Sequence, residues 1–143
     1  MSPGSRRGRI ALRGLVGTIL LVTAVGKLLD IRGFAKVLGT YQAFPESTLL
    51  AIAAAVVLAE LALAIWLFSG WRPRPAAFWA LGMHLVYAAW SAISIARGLH
   101  LSNCGCFGVF WPRPLNWSTV VEDLVVAAAC GALVALTPRY RTA

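Results

Sequence analysis

Charged residues are scarce in this chain, and acidic ones are scarcest. Of its 143 residues only 13% are charged, and five are Asp or Glu. Soluble domains carry about 25% charged residues, so the composition argues against a soluble globule. The chain also lacks a glycine-rich phosphate loop and a Ser/His/Asp arrangement. Nothing in it therefore supports a soluble-enzyme, nucleotide-binding or nucleic-acid function.

Long apolar runs take up most of the chain, with 59% hydrophobic residues and a mean hydropathy of +0.76. A helix that crosses a bilayer needs about 20 mainly apolar residues. Four segments meet this requirement, at 10–29, 48–69, 76–96 and 118–137, separated by proline- or glycine-containing connectors. We therefore predict an all-α membrane protein, a four-transmembrane-helix bundle that forms a single domain over residues 1–143.

Residues 30–42, between the first two spans, are predicted to form a short interfacial helix. Asp30 is suited to cap its N-terminus, and Arg32 and Lys36 would form its polar face. Apolar residues recur at i, i+3, i+4 and i+7, namely Phe34, Val37, Leu38 and Tyr41. Such a helix would cover the bundle on the side of the cysteines. A packed connector without function fits the pattern equally well.

The orientation of the spans follows from the distribution of Lys and Arg, since the net charge of +8 is clustered at span ends. With four spans, eight basic residues lie on the side of the two termini and five on the other. The positive-inside rule then places both termini in the cytoplasm of a plasma-membrane protein. The alternative of a cleaved signal peptide is disfavoured by the three spans that follow closely.

The loop before the fourth span contains two of the three cysteines, in the order Cys104-Gly105-Cys106-Phe107-Gly108. This orientation makes the loop extracytoplasmic, where a disulfide can persist. A disulfide across one intervening residue is poorly matched to relaxed geometry, and strained disulfides are the labile, catalytic ones. The spacing favours electron exchange over a structural bridge. Cys130 lies roughly 20 Å deeper and is predicted to be a buried apolar residue.

Two other interpretations of the pair remain open. His100, Cys104 and Cys106 could supply three ligands for Cu(I) or Zn(II), although a fourth ligand is not evident, which argues against a closed structural site. Alternatively, the cysteines are merely bridged, and the protein is a scaffold or assembly subunit of a membrane complex.

Basic groups near the loop are candidates for tuning the thiols, because nearby positive charge lowers a thiol pKa. Lys27 and Arg97 end the first and third spans on the cysteine side, and His100 could relay protons. With one usable cysteine pair, electrons must pass to another protein or to a bound acceptor such as a quinone.

Glu60 and His84 lie inside the second and third spans, both at a depth of about 12–14 Å. Because an unpaired carboxyl in hydrocarbon is costly, we predict a hydrogen bond between them. This hydrogen bond would belong to a proton path or to a quinone-head site, or else it would only stabilise the packing of the two helices. Further polar and aromatic residues continue along the third span: Tyr87, Trp90, Ser91 and Ser94.

The pattern resembles the methylamine utilisation MauE family, within the broader DoxX-like group of four-helix membrane proteins. The resemblance covers about 13–137 and is carried by Gly26 to Asp30, Phe34, Tyr41, Pro45, Glu60 and the motif Cys104-Gly105-Cys106-Phe107-Gly108. It implies a redox-associated protein, a thiol-disulfide oxidoreductase that works with an extracytoplasmic thioredoxin-like partner. Its role would be disulfide formation in exported proteins, which for the namesake is maturation of the small subunit of methylamine dehydrogenase.

Overall fold

Helices account for almost all the regular structure of the chain, which we describe from a computed structural model over residues 3–138. The helices are α1 (Pro3–Leu28), α2 (Ile31–Gly39), α3 (Leu49–Ser69), α4 (Pro73–Ala96) and α5 (Trp117–Leu136), with a 3₁₀ turn at Glu46–Thr48. All except α2 are long and apolar enough to span a membrane. The predicted four-span, all-α membrane architecture is confirmed. Arg139 and Arg141, which contribute to the predicted orientation, lie outside the described residues.

Local sequence explains where the helices begin and end. The Asp30 carboxylate accepts a hydrogen bond from the Gly33 N–H (2.8 Å), which confirms the predicted cap of α2. The Asn116 side chain caps α5 in the same way, accepting from the Ser118 N–H (2.9 Å). Gly70 ends α3 with a φ of +70°, a left-handed conformation that glycine adopts without strain.

The long helices pack chiefly as two pairs, α1 with α3 and α4 with α5. We call the end of the bundle that carries α2 and residues 97–116 the cysteine end, and residues 97–116 the cysteine loop. Toward the opposite end, three alanines of α4 let neighbouring helices approach closely, and Cys130 is fully buried there, as predicted. That dry core is formed by Val16, Leu20, Leu63, Ala64, Leu67, Ala76, Ala77, Ala80, Cys130 and Leu133.

Helix α2 lies across the cysteine end, with its apolar face toward α3. Phe34 and Ala35 pack with residues of α3, while Arg32 and Lys36 are exposed. The connector that follows is held by Arg97, whose guanidinium donates to the Tyr41 carbonyl oxygen (3.0 Å). The predicted amphipathic helix is therefore present, and it covers the bundle beside the cysteines.

Candidate dithiol site

Cys104 is fixed by hydrogen bonds to its main chain from two directions. Its N–H donates to the Arg113 carbonyl oxygen (2.7 Å), and its own carbonyl oxygen accepts from the Tyr41 hydroxyl (2.7 Å). A second main-chain bond, from the Leu115 N–H to the Leu101 carbonyl oxygen (2.9 Å), closes the loop below it. The cysteine loop thus doubles back on itself and is tied to the α2–α3 connector.

Asn103 shapes the turn that contains the two cysteines. Its side-chain oxygen accepts from the Gly105 N–H (2.9 Å), and its amide donates to the Gly108 carbonyl oxygen (3.1 Å). Gly105 and Gly108 both have positive φ, +79° and +75°, which residues with a Cβ rarely adopt. The glycines of the motif therefore serve the backbone of the turn.

The turn rests directly on two helices. A Cβ on Gly105 would contact the side chains of Phe34 and Val37 of α2. On the other side, Gly108 lies against the main chain of Gly26 in α1, where neither residue has room for a Cβ. This close approach places the turn against the main chain of Gly26 and Lys27.

The two thiols lie close enough for each to shift the pKa of the other, and their environments differ. Cys104 also accepts from the Cys106 N–H (3.5 Å). The hydrogen bond from the Cys106 thiol lowers the pKa of Cys104 to about 7, with smaller contributions from that N–H and from the positive charge of Arg113. The same thiol–thiol bond, followed by burial, raises the pKa of Cys106. Cys104 is therefore the more acidic thiol of the pair, although Cys106 is the less buried residue.

A cavity of about 290 Å³ lies beneath the cysteine loop, and all five helices contribute to its lining. Both cysteines face it, as do Lys27, Glu60 and His84. Most of the remaining lining is apolar or aromatic. It includes three of the polar and aromatic residues noted along the third span, Tyr87, Trp90 and Ser91. The dithiol and the intramembrane ionisable groups therefore share one space.

An ion pair closes one side of this cavity. The Lys27 ammonium donates to Glu60 Oε1 (2.5 Å), and the Tyr87 hydroxyl donates to the same oxygen (2.8 Å). Lys27 and Glu60 are 3% and 1% exposed, so the pair is buried. Glu60 Oε2 is also buried, and it has no hydrogen-bond partner among residues 3–138.

A family model described as methylamine utilisation protein MauE matches residues 8–136, which include every residue that lines the cavity. The chain belongs to the MauE family. It is 30% identical over 128 residues to a methylamine utilization protein MauE of Paracoccus denitrificans, covering 90% of this chain and 69% of that protein. It is 28% identical over 131 residues to the protein of the same name from Paracoccus versutus, covering 92% and 70%. No solved structure matches it.

The partner predicted for Glu60 is wrong in this MauE-family chain. His84 Nδ1 is instead hydrogen-bonded to the Ala80 carbonyl oxygen (2.9 Å), while Glu60 pairs with Lys27. The physical reason is helix arrangement: α3 packs closely on α1, which places a charged ammonium beside the carboxylate. His84 still lines the cavity, with its ring edge-on to Tyr87 at a centroid distance of 6.0 Å.

Arg97 and His100, two predicted candidates for tuning the thiols, do not line the cavity that both cysteines face. Arg97 holds the connector at Tyr41 and Gln42 (3.0 and 3.4 Å), and His100 is exposed and does not line the cavity. Within the described residues, no three His, Cys, Asp or Glu side chains come together as a metal site. The alternative metal site of His100, Cys104 and Cys106 is therefore not assembled.

Arg113 and Asn103 both contact the turn that contains the two cysteines, and neither was predicted from the sequence as a site residue. Arg113 forms a two-pronged ion pair with Glu122 (2.6 and 2.5 Å), which holds its positive charge near Cys104 and raises its own pKa. The signal for Asn103 was available, since Asn directly before a tight turn is a common way to fix it. The nine-residue separation of Arg113 and Glu122 carries no such signal.

Proposed function

We propose that this protein is a membrane thiol-disulfide exchange protein. Its Cys104/Cys106 pair would exchange electrons with an extracytoplasmic thioredoxin-like protein and so support disulfide formation in exported proteins. The observation that carries the proposal is the cysteine pair held in a clamped turn, in which the Cys106 N–H donates to the Cys104 sulfur (3.5 Å) and the pKa of Cys104 is lowered to about 7. A purely structural disulfide needs no stabilised thiolate, whereas exchange chemistry does.

The two thiols take different roles in this proposal. A thiolate of the reduced partner attacks the sulfur of Cys106, the less buried cysteine of the oxidised pair. The Cys104–Cys106 bond breaks, and Cys104 leaves as a thiolate, which its low pKa favours. The partner's second thiol then displaces Cys106. The partner loses two electrons and two protons and forms a disulfide, and the cysteine pair becomes a dithiol.

The proposed orientation agrees with this reaction. Both termini lie in the cytoplasm of the plasma membrane, so the cysteine loop faces the oxidising compartment. Phe110 and Trp111, which follow the motif, are 65% and 69% exposed. Such aromatics suit a membrane interface or a protein contact. The two Paracoccus relatives are named for methylamine utilization, and for this chain we propose the exchange chemistry itself.

Trapping of the mixed disulfide tests the proposal. In Cys104→Ser the remaining Cys106 thiol can still attack the disulfide of the oxidised partner, which is the reverse of the second step. The resulting mixed disulfide should accumulate, because Cys104 is no longer present to displace the partner. Cys106→Ser should trap much less, since Cys104 is buried. Cys130→Ser is the matched control, because it changes the cysteine of the dry core and leaves the pair intact. It should trap no mixed disulfide. If neither motif variant captures a thiol protein in intact cells, the bridged-scaffold interpretation replaces the exchange function.

A further inference from the structure

The cavity beneath the cysteine loop has the size and lining of a small-molecule site. Its volume of about 290 Å³ lies at the lower end of the usual range for ligand pockets. That space suits one or two fused rings and is small for a larger cofactor. Trp90 and Tyr87 present aromatic surface to it, and Phe107 does so from the motif itself.

One buried oxygen in this lining lacks a partner. Glu60 Oε2 has no hydrogen-bond donor among residues 3–138, although Glu60 is only 1% exposed and lines the cavity. Leaving a buried acceptor unpaired costs about 1–3 kcal/mol, and more for a charged group. The other oxygen of this carboxylate already accepts from Lys27 and Tyr87. A ligand that donates an O–H to Oε2 would satisfy it.

A positive charge lies at the same place. The Lys27 ammonium uses one donor on Glu60 and is 5.5 Å from the Phe34 ring centroid and 5.7 Å from that of Tyr87. It can stabilise negative charge that develops on a ligand oxygen in this low-dielectric space. The cavity thus combines an acceptor for a hydroxyl, a cation for an oxyanion, aromatic walls and a dithiol.

We propose that this cavity binds the ring of a quinone, which accepts two electrons from the Cys104/Cys106 dithiol. The inference rests on the proposed function and names its second substrate. Two S–H bonds break and one S–S bond forms, while the two carbonyl oxygens of the quinone take up two protons and become the hydroxyls of a hydroquinone. Glu60 Oε2 accepts a hydrogen bond from one of those hydroxyls, and net electron flow is from the exported thiol protein to the quinone.

The open side of the cavity indicates how such a ring would enter. Val86, which lines the cavity, is 64% exposed and lies ten residues, roughly 15 Å, from the end of α4 at Ala96. The opening is therefore at the depth of lipid chains. A membrane quinone with an isoprenoid tail and a small soluble quinone share the same ring chemistry, and the experiment below separates them.

Binding is measured first without any redox step. A Cys104→Ser/Cys106→Ser protein in lipid nanodiscs is titrated with duroquinone, which has no tail, with decylubiquinone, which has one, and with the hydroquinone form of each. Glu60→Gln replaces the acceptor by a donor, so it should weaken binding of the two hydroquinones, whose hydroxyls donate to Oε2, by roughly tenfold or more. Val56→Trp, which fills the cavity without altering the ion pair, should weaken binding of the quinones and the hydroquinones alike by a similar factor. Val56→Trp keeps the test decisive if Glu60→Gln fails to fold.

The matched controls lie outside the cavity. Glu46→Gln makes the same chemical change at an exposed position, and Leu58→Trp adds the same bulk at a side chain that is 65% exposed. Both should keep their affinity within roughly twofold. Tighter binding of the tailed compound identifies a membrane quinone as the source, and tighter binding of duroquinone identifies a soluble one.

Electron transfer is measured second, with the pre-reduced wild-type protein, and one hydroquinone should form for each Cys104–Cys106 disulfide. Absence of quinone binding, or binding that both cavity variants leave unchanged, overturns the inference even if the partner is still trapped. Binding at the cavity without trapping of any thiol protein would instead refute the proposed exchange with a protein partner.

Discussion

Gly26 of α1 and Gly108 of the cysteine loop lie main chain against main chain. A Cβ on Gly26 would run into the Phe107 carbonyl oxygen, and one on Gly108 would run into the carbonyl oxygen of Gly26 and the N–H of Lys27. The absence of two side chains therefore sets how close the dithiol turn comes to Lys27. This contact between Gly26 and Gly108 connects the cysteine motif directly to the helix that carries Lys27 of the buried ion pair.

Gly26→Ala tests this contact, because the contact and the usual effect of alanine in a helix change the stability in opposite directions. In a helix interior, alanine is normally more stabilising than glycine by about 0.5–1 kcal/mol. Here the clash should outweigh that gain and destabilise the protein by about 1–3 kcal/mol. Gly82→Ala in α4 is the control, because its Cβ would meet nothing within 4 Å. Thermal unfolding in detergent micelles measures both, and equal midpoints for the two variants would refute the close contact.

The Lys27–Glu60 pair should behave as a unit in a double-mutant cycle. Lys27→Met leaves a buried carboxylate without its cation, which should lower the free energy of unfolding by about 3–5 kcal/mol. Adding Glu60→Met removes the uncompensated charge and should recover a large part of the loss. Lys36→Met and Glu46→Met, both exposed, are the control pair and should change stability little. Additive losses at Lys27 and Glu60 would contradict the buried pair.

Alkylation of the reduced protein should depend on pH in a way that distinguishes the two cysteines. Because the pKa of Cys104 is lowered to about 7, its rate with iodoacetamide should rise about tenfold per pH unit below 7 and level off above it. Cys106 should react only at much higher pH, because its pKa is raised. Peptide mass spectrometry assigns each adduct.

Two variants identify the cause of that low pKa. Cys106→Ala removes the largest influence that lowers the pKa of Cys104. The midpoint of the pH profile of Cys104 alkylation should therefore move upward, toward the ordinary thiol pKa. Arg113→Gln removes a nearby positive charge that lowers the same pKa by less, so it should raise the midpoint by a smaller amount. Arg32→Gln, an exposed arginine of α2, should leave it unchanged. A wild-type midpoint near 8.5 would show that the thiolate is not stabilised.

His100→Ala should have almost no effect. His100 is exposed and lies outside the cavity lining, so the free energy of unfolding should change by less than about 0.5 kcal/mol. The pH profile of Cys104 alkylation and the copper and zinc content of the purified protein should also stay as in the wild type. A loss of bound metal in this variant would restore the metal interpretation.

Features determined by neighbouring residues were predictable from the sequence. The four spans followed from the length of the apolar runs, and α2 followed from its cap at Asp30 and its apolar periodicity. The burial of Cys130 followed from its position deep in an apolar span. Each of these depends on a few adjacent side chains and on the bilayer thickness, both of which a single sequence supplies.

Contacts between helices were harder to predict from the sequence. The depth of Glu60 was evident, but its partner was not, because hydropathy fixes how deep a residue lies and leaves open which helix it faces. Because α3 packs on α1, the Glu60 carboxylate pairs with Lys27 and not with His84. Likewise, the positive charge that acts on Cys104 comes from Arg113, which the doubling back of the loop brings near, while Arg97 is used in the connector.

A redox titration of the Cys104/Cys106 pair in the intact protein tests the central claim most directly. The protein is equilibrated in nanodiscs at defined thiol/disulfide ratios, and the free thiols are counted by alkylation and mass spectrometry. The account predicts a reversible two-electron transition with a midpoint above about −300 mV, as for labile, exchanging disulfides. A midpoint below that value, or a pair that never closes into a disulfide, would contradict it.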